Sequence, residues 1–195
     1  SAAERGLARG MTALYSGNLQ EALTILQKVA RNNLLDADAQ LNYGVALHQA
    51  RRFEEALDQF QRADRLKPRR WQIYQNLGAA YHGLKRYDEA YAATLESVKL
   101  NPDNVTAVYH LADINLIWGE LAESVHWYRK VLEIEPDFVD AWIGLLFCLD
   151  LMPETTAEDA LRERRAFSAQ FERPLSRHRR PHWNTRDPHR KLKIG

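Results

Sequence analysis

The 195 residues suit one or two domains, and a formal net charge of +1 with 45% hydrophobic side chains selects neither a strongly acidic nor a strongly basic partner. Cys148 is the single cysteine, which excludes an internal disulfide and points to a reducing, cytoplasmic compartment. The apolar run AWIGLLFCL between Asp140 and Asp150 is far short of the ~20 residues a membrane helix needs, and the opening SAAERGLARG has no apolar core of a signal peptide.

Residues 3–36 carry weak marks that the next segment makes legible: Gly10, Leu19, Ala22 and Leu34 stand where residues 37–70 have Gly44, Phe53, Ala56 and Pro68. Residues 71–104 repeat the frame with Gly78, Tyr87, Ala90, Leu100 and Pro102, each 34 positions after its counterpart, Leu66 preceding Leu100. Each matched type has a mechanical reason. Glycine inside a helix costs about 1 kcal/mol against alanine, so Gly44 and Gly78 predict close approach of a partner helix. Ala56 and Ala90 face that contact, Phe53 and Tyr87 plug the turn between the helices, and Pro68 and Pro102 end the second helix. Asp36 or Asp38 is expected to cap the helix that opens the second unit.

Residues 105–138 keep the frame with Ala112 for the glycine and Ser124 for the alanine, while Gly119, Leu121, Tyr128 and Pro136 hold the register. Asp103 and Asp137 follow prolines and are expected N-caps. Residues 139–150 open a half unit with Trp142 and Leu145. The 34-residue period resembles that of the tetratricopeptide repeat (TPR), whose units are helix hairpins stacked in one elongated array. The expected fold is all-α: a right-handed TPR superhelix, an α-solenoid of about four and a half hairpins in residues 1–150. Atypical end units are normal in such arrays, and the opening at Ser1 leaves room for further repeats upstream in a longer parent.

Residues 151–173 read as a capping or docking helix: Thr156 and Asp159 have capping-box spacing, and Leu161, Phe167 and Phe171 form an apolar stripe. Residues 174–195 read as a basic linker. Pro181 and Pro188 break any helix there. From Arg173 to Lys193 eight Arg and Lys side chains face only Asp187, a net of +7 that leaves −6 for residues 1–172. Lys191, Leu192, Lys193 and Ile194 alternate like the first strand of a sheet that has no second strand in this chain.

The run RRAFSAQFERPL followed by PHWNTRDPHRKLKIG, with Asp187, Pro188, Arg190 and the strand-like residues up to Gly195, resembles the segment joining repeats to catalytic region in bacterial O-linked N-acetylglucosamine transferases and SPINDLY-like glycosyltransferases. The resemblance implies a parent that moves N-acetylglucosamine from UDP-GlcNAc to serine or threonine of proteins, with its catalytic and nucleotide-sugar residues downstream of Gly195. On that expectation this chain has no catalytic residue, no cofactor and a missing C-terminal catalytic domain. It also implies that asparagines at the sixth repeat position line a concave groove and hold the backbone of a protein or peptide acceptor; those positions here are Asn42, Asn76, His110 and Gly144, so two of four match and the row is interrupted at His110 and Gly144. A carboxamide offers both donor and acceptor to a peptide group, so it grips an extended chain whatever its side chains. One turn earlier stand Asp38, Gln72, Thr106 and Asp140, where the family places aspartates that bias substrate choice; Asp38 and Asp140 are equally explained as N-caps, the reading preferred here.

His48, His82, His110 and His126 are dispersed without the spacing of a metal site and are expected to be solvated or packed. Cys148, Trp118, Trp127, Trp142 and Tyr128 are expected to be packing residues, and no phosphate-binding glycine motif occurs. Three functions remain open: the acceptor-recognition arm of a glycosyltransferase; a free-standing adaptor holding a partner peptide; and nucleic-acid binding by the basic tail with Trp183, for which no recognised module is present. An adaptor of the chaperone-tail type needs a lysine clamp, and Leu41, Val45, Gln75, Ala79 and Tyr109 supply none.

Overall fold

The computed structural model describes residues 2 to 172, in two units that divide between Thr155 and Thr156. The first unit holds four antiparallel hairpins and a ninth helix: α1 (Ala2–Tyr15) with α2 (Leu19–Asn32), α3 (Ala37–Gln49) with α4 (Phe53–Leu66), α5 (Trp71–Gly83) with α6 (Tyr87–Leu100), α7 (Val105–Trp118) with α8 (Leu121–Ile134), then α9 (Val139–Leu151). The second unit contains α10 (Ala157–Phe167) and a π-helical turn, Ser168–Glu172. Among the described residues there is no strand, and the expectation of an all-α solenoid holds. The basic linker and the strand-like RKLKIG segment lie outside the described residues.

Each hairpin turns on one left-handed residue at a fixed place: Gly17 (φ 79°), Arg51 (φ 60°), Lys85 (φ 60°) and Gly119 (φ 79°). The amide of the residue after it closes back on the last turn in every case: Asn18 N donates to Ala13 O, Arg52 N to Leu47 O, Arg86 N to Tyr81 O and Glu120 N to Asn115 O, all at 2.9 Å. This satisfies carbonyls that the helix end leaves without partners, and it explains why a glycine is comfortable at the position.

The close approach expected at the repeat glycines is present. A Cβ on Gly44 would lie 2.5 Å from Phe60 Cε1, and one on Gly78 would lie 2.3 Å from Thr94 Oγ1. Ala22, Ala56 and Ala90 are fully buried. In the fourth hairpin the substituted pair compensates internally: Ser124 Oγ donates to the Ala112 carbonyl at 2.8 Å and accepts from Cys148 Sγ at 3.4 Å. Phe53 reaches further than the turn it was expected to plug. Its ring meets His48 at 5.3 Å and fills the space that a Cβ on Gly83, in the next hairpin, would occupy.

Of the two residues offered as cap of α3 one does so, and the caps expected at Asp103 and Asp137 are corrected. Asp36, rather than Asp38, caps α3 by accepting from the amides of Asp38 (2.9 Å) and Ala39 (3.3 Å). Asn104, rather than Asp103, caps α7 through the Ala107 amide, and α9 starts after Phe138 with no side-chain cap, so Asp137 has no such role. The hydrogen-bond geometry decides these cases, because a cap must stand immediately before the first helical residue. Thr156 does cap α10, its Oγ1 accepting from Asp159 N at 3.1 Å while its hydroxyl meets the Asp159 carboxylate at 2.7 Å.

One asymmetry of packing sets up the site. The first helices of successive hairpins touch one another, α1 with α3, α3 with α5, α5 with α7 and α7 with α9. Among the described residues the second helices make no such mutual contact. The first helices therefore form an inner layer, a continuous face across hairpins.

Candidate functional site

The inner layer carries the sixth-position residues at one register of three adjacent helices. Asn42 on α3 and Asn76 on α5 are half-buried, and each Nδ2 donates to the carbonyl four residues back, to Asp38 O at 2.8 Å and Gln72 O at 2.7 Å. Each carboxamide thus fixes its own orientation with one N–H, and its Oδ1 has no partner among the described residues. On α7 His110 takes the place, half-buried, with Nδ1 shielded from solvent and without a hydrogen bond. Gly144 on α9 is buried rather than exposed to a groove: a Cβ there would lie 2.3 Å from Tyr128 Cζ, so the glycine exists to admit the Tyr128 ring.

The residues one turn earlier behave differently from one another. Asp38 is neither a cap nor a free carboxylate, since Arg70 Nη1 donates to Oδ1 at 2.6 Å and Lys67 Nζ to Oδ2 at 3.2 Å. These donors hold its carboxyl below the usual carboxylate range, Arg70 most strongly. Gln72 is half-buried, Thr106 is exposed, and Asp140 is exposed in the first turn of α9 without capping it, which corrects the N-cap expectation there as well.

The histidines are the larger correction. His48, His82 and His110 are not dispersed: they line one cavity of about 450 Å³ together with Gln49, Arg51, Phe53, Ala79 and Gly83. The His82 and His110 rings lie nearly parallel with centroids 6.3 Å apart, and His82 Nε2 stands 3.2 Å from Asp113 Oδ2 without hydrogen-bond alignment. Burial pushes the imidazoles of His48 and His110 down from their ordinary pKa; the neighbouring His82 lowers His110 further, and the Ala79 carbonyl partly offsets the effect at His48. The signal was in the spacing. His48 and His82 stand at the same place in successive units, and stacking brings that place beside the sixth position of the following unit, where His110 sits.

Cys148 is fully buried in the apolar cluster of the last hairpins, and burial raises its thiol pKa. Tyr128 is likewise core, whereas Trp118 is 40% exposed beside Tyr91. Among the described residues no group of three or more His, Cys, Asp or Glu is arranged to hold a metal ion, and no helix is long and apolar enough to cross a membrane.

Sequence models described as "Tetratricopeptide repeat" match residues 7–70, 71–104 and 105–138. The chain belongs to the tetratricopeptide repeat family. "Superkiller complex protein 3" of Mus musculus is 29% identical over 161 residues, which is 82% of this chain, and the chain spans 10% of that relative's length. Among solved structures, "MamA 41-end from Desulfovibrio magneticus RS-1" superposes with a TM-score of 0.73 at 21% identity, covering 89% of this chain and 96% of that one. PilF of Pseudomonas aeruginosa superposes with a TM-score of 0.76 at 21% identity, covering 87% and 76%. At such identities the two structures establish a shared TPR fold.

Proposed function

We propose that this TPR chain is a protein-protein interaction module whose inner layer, α3, α5, α7 and α9, holds an extended segment of a partner protein. The observation that carries the reading is the register of Asn42 and Asn76 on adjacent helices, each carboxamide oriented by one bond to its own helix and keeping its oxygen for a ligand. An extended chain presents a peptide N–H to such an oxygen at intervals that do not depend on its side chains. His110 continues the row, and Gln72, Thr106 and Asp140 flank it; the buried Gly144 ends it.

The test is a double substitution, Asn42→Ala with Asn76→Ala, assayed by fluorescence anisotropy on peptides selected against the wild-type chain. Loss of two hydrogen bonds of about 1 kcal/mol each predicts a weakening of tenfold or more. Unchanged affinity refutes the ladder.

A second reading rests on the sequence of residues 165–195: the module is the acceptor-recognition arm of an O-linked N-acetylglucosamine transferase-like enzyme. The coding sequence past Gly195 tests it. Continuation into a two-lobed α/β domain supports the arm, and any other continuation leaves the adaptor.

A further inference from the structure

The cavity between α3, α5 and α7 has a chemistry that peptide-backbone capture does not use. Four cationic or protonatable groups line it: Arg51 and the imidazoles of His48, His82 and His110. Asp113 is the one acid within ion-pair distance of these rings among the described residues. The other titratable groups that approach are phenols, Tyr87 of α6 at 5.4 Å from the His82 ring and Tyr109 of α7 at 6.3 Å from His110, with Tyr128 of α8 beyond Tyr109; Glu54 of α4 acts on Arg86 instead. This concentration of cationic and protonatable groups sits in a chain whose first 172 residues carry a net −6.

Two details show a site lacking its counterpart. Arg51 has no carboxylate partner among the described residues and lies with Cζ 5.9 Å from the Phe53 ring centroid, whereas the equivalent neighbours Arg52 and Arg86 are each neutralised three residues on, by Glu55 and Glu89. His110 Nδ1 is shielded from solvent with no hydrogen bond, so no protein group anchors that edge of the ring. Of the rest of the wall, Gln49 is polar, and Phe53, Ala79 and Gly83 offer a carbon surface that fits the methylene stem of an acidic side chain.

We propose that this cavity takes the carboxylate of an aspartate or glutamate in the bound segment, with Arg51 at the rim and His110 and His48 within. The proposal rests on the inner-layer reading above. It makes the cavity the element that chooses a sequence, where the Asn42 and Asn76 row reads only backbone. A carboxylate among imidazoles favours their charged form, whereas burial lowers the pKa of His48 and His110 in the free chain. Binding therefore raises the proton affinity of the imidazoles, and affinity strengthens as pH falls.

The experiment uses a pool of random 12-residue peptides displayed against the wild-type chain at pH 6, with sequencing of the bound fraction and anisotropy on synthesised winners. The expected result is enrichment of Asp or Glu at one position, a loss of about tenfold or more on changing that residue to Asn or Gln, and weaker binding at pH 8. His110→Gln should weaken the acidic peptide and leave its amide analogue unchanged. Because a half-buried site can disturb folding, Arg51→Gln at the exposed rim provides a second variant, expected to lose about two- to fivefold for the acidic peptide alone. Bound peptides with no acidic preference, or with enriched Lys or Arg opposite Asp113, overturn the carboxylate pocket while leaving the inner-layer reading intact. Failure of the wild-type chain to retain any peptide overturns both.

Discussion

Arg70 Nη1 stands 2.6 Å from Asp38 Oδ1, and this contact ties the first turn of α3 to the residue that immediately precedes α5. Lys67 joins from the end of α4, so three loop-side charges bind one hairpin to the next. The pairing removes Asp38 from the set of carboxylates available to a ligand.

Asp38→Asn should therefore lower stability by about 0.5–1 kcal/mol, a modest figure because the pair is partly exposed. The Asp38 pKa is lowered in the folded chain. Its contribution is fully present above the unfolded carboxylate value near 4 and is lost as pH falls through the lower folded value. Thermal melts should show the wild-type advantage at pH 6 and a shrinking one as pH falls below 4; a difference that does not change with pH contradicts the ion pair as its source.

Lys85 occupies the left-handed turn position that Gly17 and Gly119 fill in other hairpins. Lys85→Gly should raise stability by about 0.5–1 kcal/mol by removing the side-chain strain, and Gly119→Ala should lower it by about 1 kcal/mol. Urea midpoints of the two variants should move in opposite directions.

Gly78 and Thr94 are coupled, since the Cβ of an alanine at 78 would fall on Thr94 Oγ1, a buried hydroxyl with no hydrogen-bond partner among the described residues. Gly78→Ala alone should cost about 1–2 kcal/mol through overpacking. Adding Thr94→Ala should recover at least half, giving a favourable coupling in a double-mutant cycle; strictly additive effects would show that the helices relax apart instead.

Cys148 is enclosed, and burial holds its thiol protonated. Its reaction with an aromatic disulfide reagent at pH 8 should follow the rate of unfolding, and in denaturant it should be complete within the mixing time. Rapid labelling of the folded chain would place the thiol at the surface.

The turn chemistry illustrates the boundary of what spacing reveals. Gly119 marked the fourth hairpin in the sequence, but Arg51 and Lys85 adopt the same left-handed conformation without a glycine to announce it. Residue type leaves Asp36 and Asp38 as alternatives for α3 and points to caps at Asp103, Asp137 and Asp140 where none stands, because a cap depends on where the first helical turn closes. Gly144 looked like a gap in a row of ligand-binding residues, and its reason lies sixteen positions earlier in Tyr128.

The sequence by itself determined the all-α hairpin array, because a 34-residue period in residues of fixed size and shape encodes local geometry and nearest-neighbour contacts, which are the same in every unit. It also marked the buried alanines and the close glycine contacts. Only the tertiary structure decided which side chains meet between units. The union of His48, His82 and His110 around one cavity, and the capture of Asp38 by Arg70, depend on how far each hairpin is rotated against the next, a quantity set by packing between helices rather than by any residue's own position in the repeat.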